Sequence, residues 1–182
     1  MNLLIVVDAQ KDFISGYLGT PEAVEVTGKI AYKIRKFTGD IIATLDTHNK
    51  KKYFESYEGK KLPIAHCMRM TEGWLINEVI RNELDQKENV KYIEKENFSA
   101  TELIKKFPDY KCHMYRDNKV IFVGYCTDTC VISNALLLKS FYPEIEIEVD
   151  VSCCAGTTPE KHRAAIEVMK SCQITVVGED YE

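Results

Sequence analysis

A cysteine stands where an apolar run gives way to a helical pattern: Lys119-Val120-Ile121-Phe122-Val123 is followed by Gly124-Tyr125-Cys126-Thr127-Asp128-Thr129-Cys130-Val131. The β-branched run predicts a strand buried on both faces, and Gly124 ends it. Val131, Ala135 and Leu138 then recur at helical spacing, with Thr127 or Asp128 as the expected N-cap. Cys130 would fall in the first helical turn, where free N–H groups and the positive end of the helix dipole favour a thiolate and could hold a developing oxyanion. A cysteine in that setting is as readily buried filler as nucleophile, because cysteine is among the most buried residue types and this chain has seven. It needs partners.

Three further groups stand at comparable positions. The run Leu3 to Val7 ends in Asp8, and Ile41-Ile42-Ala43-Thr44-Leu45 ends in Asp46. Val90-Lys91-Tyr92-Ile93-Glu94 delivers Lys95. In open parallel α/β sheets the carboxyl edge of the strands is where sites assemble, so a carboxylate there is a candidate acid or base, or else a helix cap. A lysine beside Asp8 would keep that carboxylate charged and orient a thiol. Asp46-Thr47-His48, with His66 in the loop segment Leu62-Pro63-Ile64-Ala65-His66-Cys67, offers one carboxylate and two imidazoles to a divalent metal: zinc first, with iron or manganese also suited. Glu58 and Glu55 lie in the same loop, and either could add a ligand or simply be solvated.

The elements that must position these groups follow from the pattern. Strands are predicted over 3–7, 41–45, 90–94, 119–123, 146–149 and 173–177. Helices are predicted over 21–36 with Pro21 in the first turn, from Glu72 to about Arg81, after Ser99 with a Ser99/Glu102 capping box, after Cys130, and from Pro159 to about Lys170 with His162 at the surface or in its first turn. Trp74 is expected in the core. Strands about 30 residues apart with helices between them imply a single-domain, three-layer α/β fold over residues 1–182: a mostly parallel six-stranded sheet with helices on both faces. The right-handed crossover rule then gathers Asp8, Asp46, Lys95 and the Cys130 turn along one edge.

Composition narrows the function. A net charge of −4 provides no basic face for nucleic acid, and the apolar start Met1 to Val7 is far too short to span a bilayer. An odd number of cysteines without zinc-ribbon or C-x-x-C spacing suggests reduced thiols and a cytoplasmic protein. Exposed edges of such sheets commonly pair, so a homo-oligomer is possible.

Five segments, Val7 to Phe13, Asp46 to His48, Leu62 to Cys67, Lys95 to Ala100 and Gly124 to Val131, resemble in type and order the isochorismatase-like cysteine hydrolases, more closely their nicotinamidase branch. The resemblance implies a triad of Cys130 as nucleophile, Asp8 as base and Lys95 beside both. It implies an oxyanion hole from the N–H groups of Cys126 and Cys130, with a cis peptide between Tyr125 and Cys126. It also implies metal ligands Asp46, His48 and His66, with Glu58 filling a further position and Glu55 as fallback. The substrate implied is a small amide, nicotinamide, hydrolysed to nicotinate and ammonia in NAD salvage, with its ring nitrogen facing the metal and with Phe13, Leu62, Phe98 and Tyr125 as contacts. Leu62 replaces an aromatic residue common in nicotinamidases, and Glu96 adds negative charge that suits an anionic substrate such as isochorismate poorly.

Rival readings remain in view. A sibling hydrolase of another small amide or carbamoyl compound would share the triad. A non-enzymatic metal- or thiol-sensing protein would account for Cys67, Cys126, Cys130 and Cys153-Cys154, but would leave Asp8 and Lys95 unexplained. A catalytically dead relative is disfavoured by the presence of all three triad residues.

Overall fold

The computed structural model describes residues 2–105 and 119–179. Six parallel strands, β1 (Leu3–Val7), β2 (Asp40–Asp46), β3 (Val90–Lys95), β4 (Lys119–Tyr125), β5 (Glu146–Ala155) and β6 (Thr175–Val177), form one sheet in the order β3-β2-β1-β4-β5-β6. The order reverses between β1 and β4, which pair from Leu3↔Val120 to Val7↔Gly124. That switch point is where an open parallel sheet leaves a crevice beyond its carboxyl ends. Among the described residues no helix is long and apolar enough to cross a membrane.

Alternation along β1 shows the three layers. Leu4 and Val6 pack with Ala23, Ile30 and Ile34 of α2 (Pro21–Lys36) and Ile80 and Leu84 of α4 (Glu78–Leu84). Leu3, Ile5 and Val7 pack on the opposite face with Leu103 of α5 (Glu102–Lys105), Ala135 and Leu138 of α6 (Ile132–Phe141), and Ile166 and Met169 of α7 (Pro159–Ser171). The short helices α1 (Lys11–Ile14) and α3 (Tyr57–Lys61) lie in the loops that follow β1 and β2. Thr20 and Thr158 cap α2 and α7 through their side chains, each ahead of a first-turn proline.

The sequence reading departs from the structure at several ends. β5 runs on through Ala155, because it follows β4 past a register irregularity between Phe122 and Gly124. β6 begins only at Thr175: Gln173 adopts a positive φ of 63° and Ile174 N–H bonds back to Met169, so both residues close α7. The Ser99/Glu102 capping box does not form, since α5 starts at Glu102 and leaves Ser99 outside the cap position. Residues 72–81 split into a 3-10 turn (Glu72–Trp74) and α4. Trp74 is half-buried, packing at the margin of the core while its indole N–H donates to Thr47 Oγ1 at 2.8 Å.

Candidate active site and metal centre

Gly124 sets the approach of the two central strands. Its φ is +121°, and a Cβ there would lie 2.1 Å from the Val7 carbonyl oxygen, so only glycine lets β4 lie this close to the end of β1. The next peptide, Tyr125–Cys126, is cis. The chain then enters a π-turn (Thr127–Val131) that leads into α6, rather than the regular α-helical first turn the sequence suggested. Cys126 C=O accepts from Thr129 N–H at 3.1 Å and Val131 N–H at 3.0 Å, passing over Cys130 N–H between them. The wide turn thus leaves the Cys130 amide free of the carbonyl it would meet in an α-helix. Neither Thr127 nor Asp128 caps α6: Thr127 Oγ1 shares a hydrogen bond with His162 Nδ1, and the Asp128 carboxylate accepts from Thr157.

Lys95, the last residue of β3, joins the three strand ends. Its Nζ lies 2.7 Å from Asp8 Oδ2, 3.4 Å from Cys130 Sγ and 3.3 Å from Asp46 Oδ1. All four residues are buried. Asp8 holds a left-handed φ of 47°, and its Oδ1 accepts from Thr44 Oγ1 at 2.7 Å, which fixes the carboxylate while Oδ2 faces Lys95. Burial raises the Asp8 pKa even though Lys95 opposes the shift. Burial, then the Asp8 charge, push the Cys130 thiol well above its usual value, with Lys95 only partly compensating. Desolvation thus works against the thiolate that the helix dipole would favour. Lys95 resists the lowering effect of burial, because Asp8, Cys130 and Asp46 surround it and drive its pKa well up.

The second cluster adjoins the first through Asp46. Its Oδ2 lies 2.9 Å from His48 Nε2 and 3.4 Å from His66 Nε2, and Glu58 Oε1 lies 3.8 and 3.6 Å from the same two nitrogens. His66 Nδ1 is 2.9 Å from Ile64 O; with the proton on Nδ1, Nε2 is left with a lone pair that suits a metal ion rather than a hydrogen bond to the carboxylates. Among the described residues, His48 Nε2 is buried without a hydrogen-bond partner. One ligand atom each from Asp46, His48 and His66 all lie within 4.8 Å of one another, and this N/N/O set with Glu58 at its margin fits a divalent metal. Burial works against the Asp46 charge, but His48, His66 and Lys95 outweigh it and hold the carboxyl below its usual range. Glu55 makes no recorded contact with the cluster among the described residues and is exposed.

The remaining candidates divide. Phe13 is buried, with its ring centroid 5.7 Å from that of His66. Leu62 is half-buried, and its carbonyl accepts from the Tyr53 hydroxyl at 2.8 Å. Phe98 is exposed. Tyr125 turns away from the site: its hydroxyl donates to Ala23 O at 3.0 Å and meets Thr27 Oγ1 at 3.1 Å on α2, so it offers backbone rather than ring. Glu96 borders a cavity of about 300 Å³ on the outer side of the metal cluster, with His48, Lys52, Tyr57 and Glu58.

Sequence reasoning missed the side chains that hold these groups. Gln10 donates to Asp46 O and Trp74 O and accepts from Asp46 N–H, each at 2.8 Å. Asp12 accepts from Cys67 N–H at 2.7 Å. Asn134 donates to Cys130 O at 2.7 Å and Phe98 O at 3.1 Å and accepts from Ala100 N–H, tying the loop after Lys95 to the segment that carries Cys130. Gln10 and Asp12 lie inside the segment Val7 to Phe13, so the family-like pattern marked them; a polar residue one turn after Cys130 was the only signal for Asn134.

The isochorismatase domain family matches residues 2–180. No curated protein sequence matches the chain. Among solved structures, the chain resembles pyrazinamidase of Pyrococcus horikoshii in complex with zinc (27% identity, TM-score 0.78, covering 98% of this chain and 99% of that one). It also resembles nicotinamidase/pyrazinamidase of Bacillus subtilis (23%, 0.80, 97% and 98%). N-carbamoylsarcosine amidase of Thermoplasma acidophilum is a further likeness (21%, 0.72, 100% and 98%). With the triad-like cluster at the β1/β4 switch point and the family match spanning almost the whole chain, the protein belongs to the isochorismatase family of hydrolases.

Proposed function

We propose that the protein, as one hydrolase domain over residues 1–182, is a metal-containing cysteine amidohydrolase that converts nicotinamide and water to nicotinate and ammonia in the cytoplasm. The observation that carries this reading is Lys95 contacting Asp8, Cys130 and the metal-cluster carboxylate Asp46 at once, which sets a nucleophile and its base beside a cation site.

Asp8 takes the Cys130 proton, and the sulfur attacks the carboxamide carbon while the carbonyl electrons move onto oxygen. The Cys126 and Cys130 N–H groups receive that oxyanion. Asp8 returns the proton to the leaving nitrogen as the C–N bond breaks, and ammonia departs, leaving a thioester. Asp8 next takes a proton from water as the water oxygen attacks; the C–S bond breaks, the sulfur recovers a proton and the acid is freed. Lys95 stays charged throughout and balances whichever of Asp8 or Cys130 is anionic. Asp46, His48 and His66, with Glu58 beside them, would hold a divalent metal, which supplies a positive charge able to attract a lone-pair donor of the substrate. Phe13, packed on His66, offers an apolar face to a ring seated there.

Ammonia release from nicotinamide, with metal counted on the same sample and Cys130→Ala as control, tests the reading. Release that requires both Cys130 and the metal supports it; metal without release sinks nicotinamide as substrate. A different small amide is the second reading, favoured by Leu62 and the exposed Phe98, neither of which builds a flat wall against a pyridine ring.

A further inference from the structure

The turn that carries Cys130 is fastened from outside by residues that touch neither cluster. Asp128 Oδ1 accepts from Thr157 N–H at 2.7 Å, and Oδ2 accepts from Thr157 Oγ1 at 2.6 Å. Thr127 Oγ1, fully buried, meets His162 Nδ1 at 2.8 Å. Thr157 belongs to the loop from β5 to α7, and His162 to the first turn of α7. Gly156 permits this approach: a Cβ there would lie 2.8 Å from His162 Cβ and 2.9 Å from Asp128 Oδ1.

The placement matters because the π-turn's own hydrogen-bond ladder is only one turn long. Backbone bonds from Thr129 and Val131 to Cys126 O, and from Ile132 N–H to Thr127 O and Thr129 O, set its internal shape. On one side Tyr125 is bonded to α2, and on the other Thr127 and Asp128 are bonded to the β5–α7 corner. The two amides assigned to the oxyanion, Cys126 and Cys130, lie between and beside these anchors. Donors for a transition-state charge act only when their direction is fixed beforehand, and a displacement of a fraction of an ångström forfeits much of their effect.

We propose that Asp128 and His162 are positioning residues that hold the Cys126 and Cys130 amides in line for the oxyanion, Asp128 through Thr157 and His162 through Thr127. This rests on the amidohydrolase reading above. Burial lowers the His162 pKa and so favours the neutral imidazole, whose Nδ1 faces Thr127 Oγ1.

The test compares wild type with Asp128→Ala, Asp128→Asn, His162→Ala and Gly156→Ala. Asn retains an acceptor for Thr157 N–H and a donor for its hydroxyl, so it serves as the conservative rescue. The first readout needs no substrate: hydrogen exchange of the Thr129 and Val131 amides, both bonded to Cys126 O. It should speed about tenfold or more in Asp128→Ala and in Gly156→Ala, stay near wild type in Asp128→Asn, and leave the β1 amides unchanged. The second is turnover, with kcat expected to fall by about 10- to 100-fold in the Ala variants at unchanged KM. Alkylation of Cys130 by iodoacetamide, which passes through no oxyanion, should stay within about twofold.

Turn exchange that stays at the wild-type rate in both Asp128→Ala and Gly156→Ala overturns the proposal. So does faster exchange spread over the whole sheet, or alkylation falling in parallel with kcat, since each marks a general loss of structure. Wild type that releases no ammonia from nicotinamide overturns the substrate reading instead, and the exchange comparison still decides whether the anchors fix the turn.

Discussion

The two halves of the site are built by different means. Asp8, Lys95 and Cys130 stand at the ends of β1 and β3 and in the turn after β4, so neighbouring strands fix their backbones and one lysine touches both partners. The metal half has only Asp46 on a strand. His48 and His66 come from a segment whose regular structure is a 3-10 turn (Tyr53–Glu55) and the five-residue α3. An isolated backbone bridge between His48 and Met68 holds it, together with side chains reaching across to backbone: Asp12 to Cys67, Gln10 to Asp46 and Trp74, Tyr53 to Leu62. The sheet makes the position of Cys130 a property of the whole fold, whereas the candidate metal half depends on individual hydrogen bonds between loops. Lys95 to Asp46 is the direct bridge between them.

The largest expected effect isolates the first half. Cys130→Ala should lower turnover to background, on the order of 10⁴-fold or more, with melting temperature and bound metal unchanged; loss of metal in this variant would break the separation. Lys95→Met should damage both halves, because it leaves the Asp8 and Asp46 carboxylates buried and unbalanced. Denaturant unfolding should show a loss of about 3–5 kcal/mol, and ammonia release should fall with it.

Asp12→Ala addresses the second half alone. Removing the acceptor of Cys67 N–H should weaken metal affinity by about 10- to 100-fold in a chelator titration. The iodoacetamide rate at Cys130 should hold steady, and a matching fall there would show that the halves are one unit. The smallest effect lies outside both. Burial acts against ionisation of Asp150, but Lys33 and Ser152 bind its carboxylate and keep its pKa below the ordinary value of 3.8. A lowered folded pKa adds stability above 3.8 that is lost as pH falls through the folded value. Melting curves between pH 6 and 3 should therefore show wild type losing an advantage over Asp150→Asn at the acid end, with metal content equal in both at neutral pH.

Much of this arrangement was legible beforehand, for physical reasons. A strand buried on both faces must be an unbroken apolar run, so a charged residue ending it marks the carboxyl edge: Asp8 and Asp46 stood out that way, whereas Lys95 ends the edge strand Val90-Lys91-Tyr92-Ile93-Glu94, which already carries charges. The parallel order follows from strands alternating with helices, and the crossover rule brings those ends together. The six-stranded sheet with helices on both faces and the family match agree with that reading.

The tertiary structure decided what spacing does not encode. Glu58 rather than Glu55 faces the histidines because α3 starts at Tyr57 and turns that one carboxylate inward. Burial raises the Cys130 pKa against the helix dipole, and burial is a sum over neighbours from distant parts of the chain. Tyr125 points to α2, and Gln10, Asp12 and Asn134 bind backbone 34 or more residues away or one turn back. Such bonds need a donor and acceptor within about 3 Å, a condition on packing that a one-dimensional pattern does not contain.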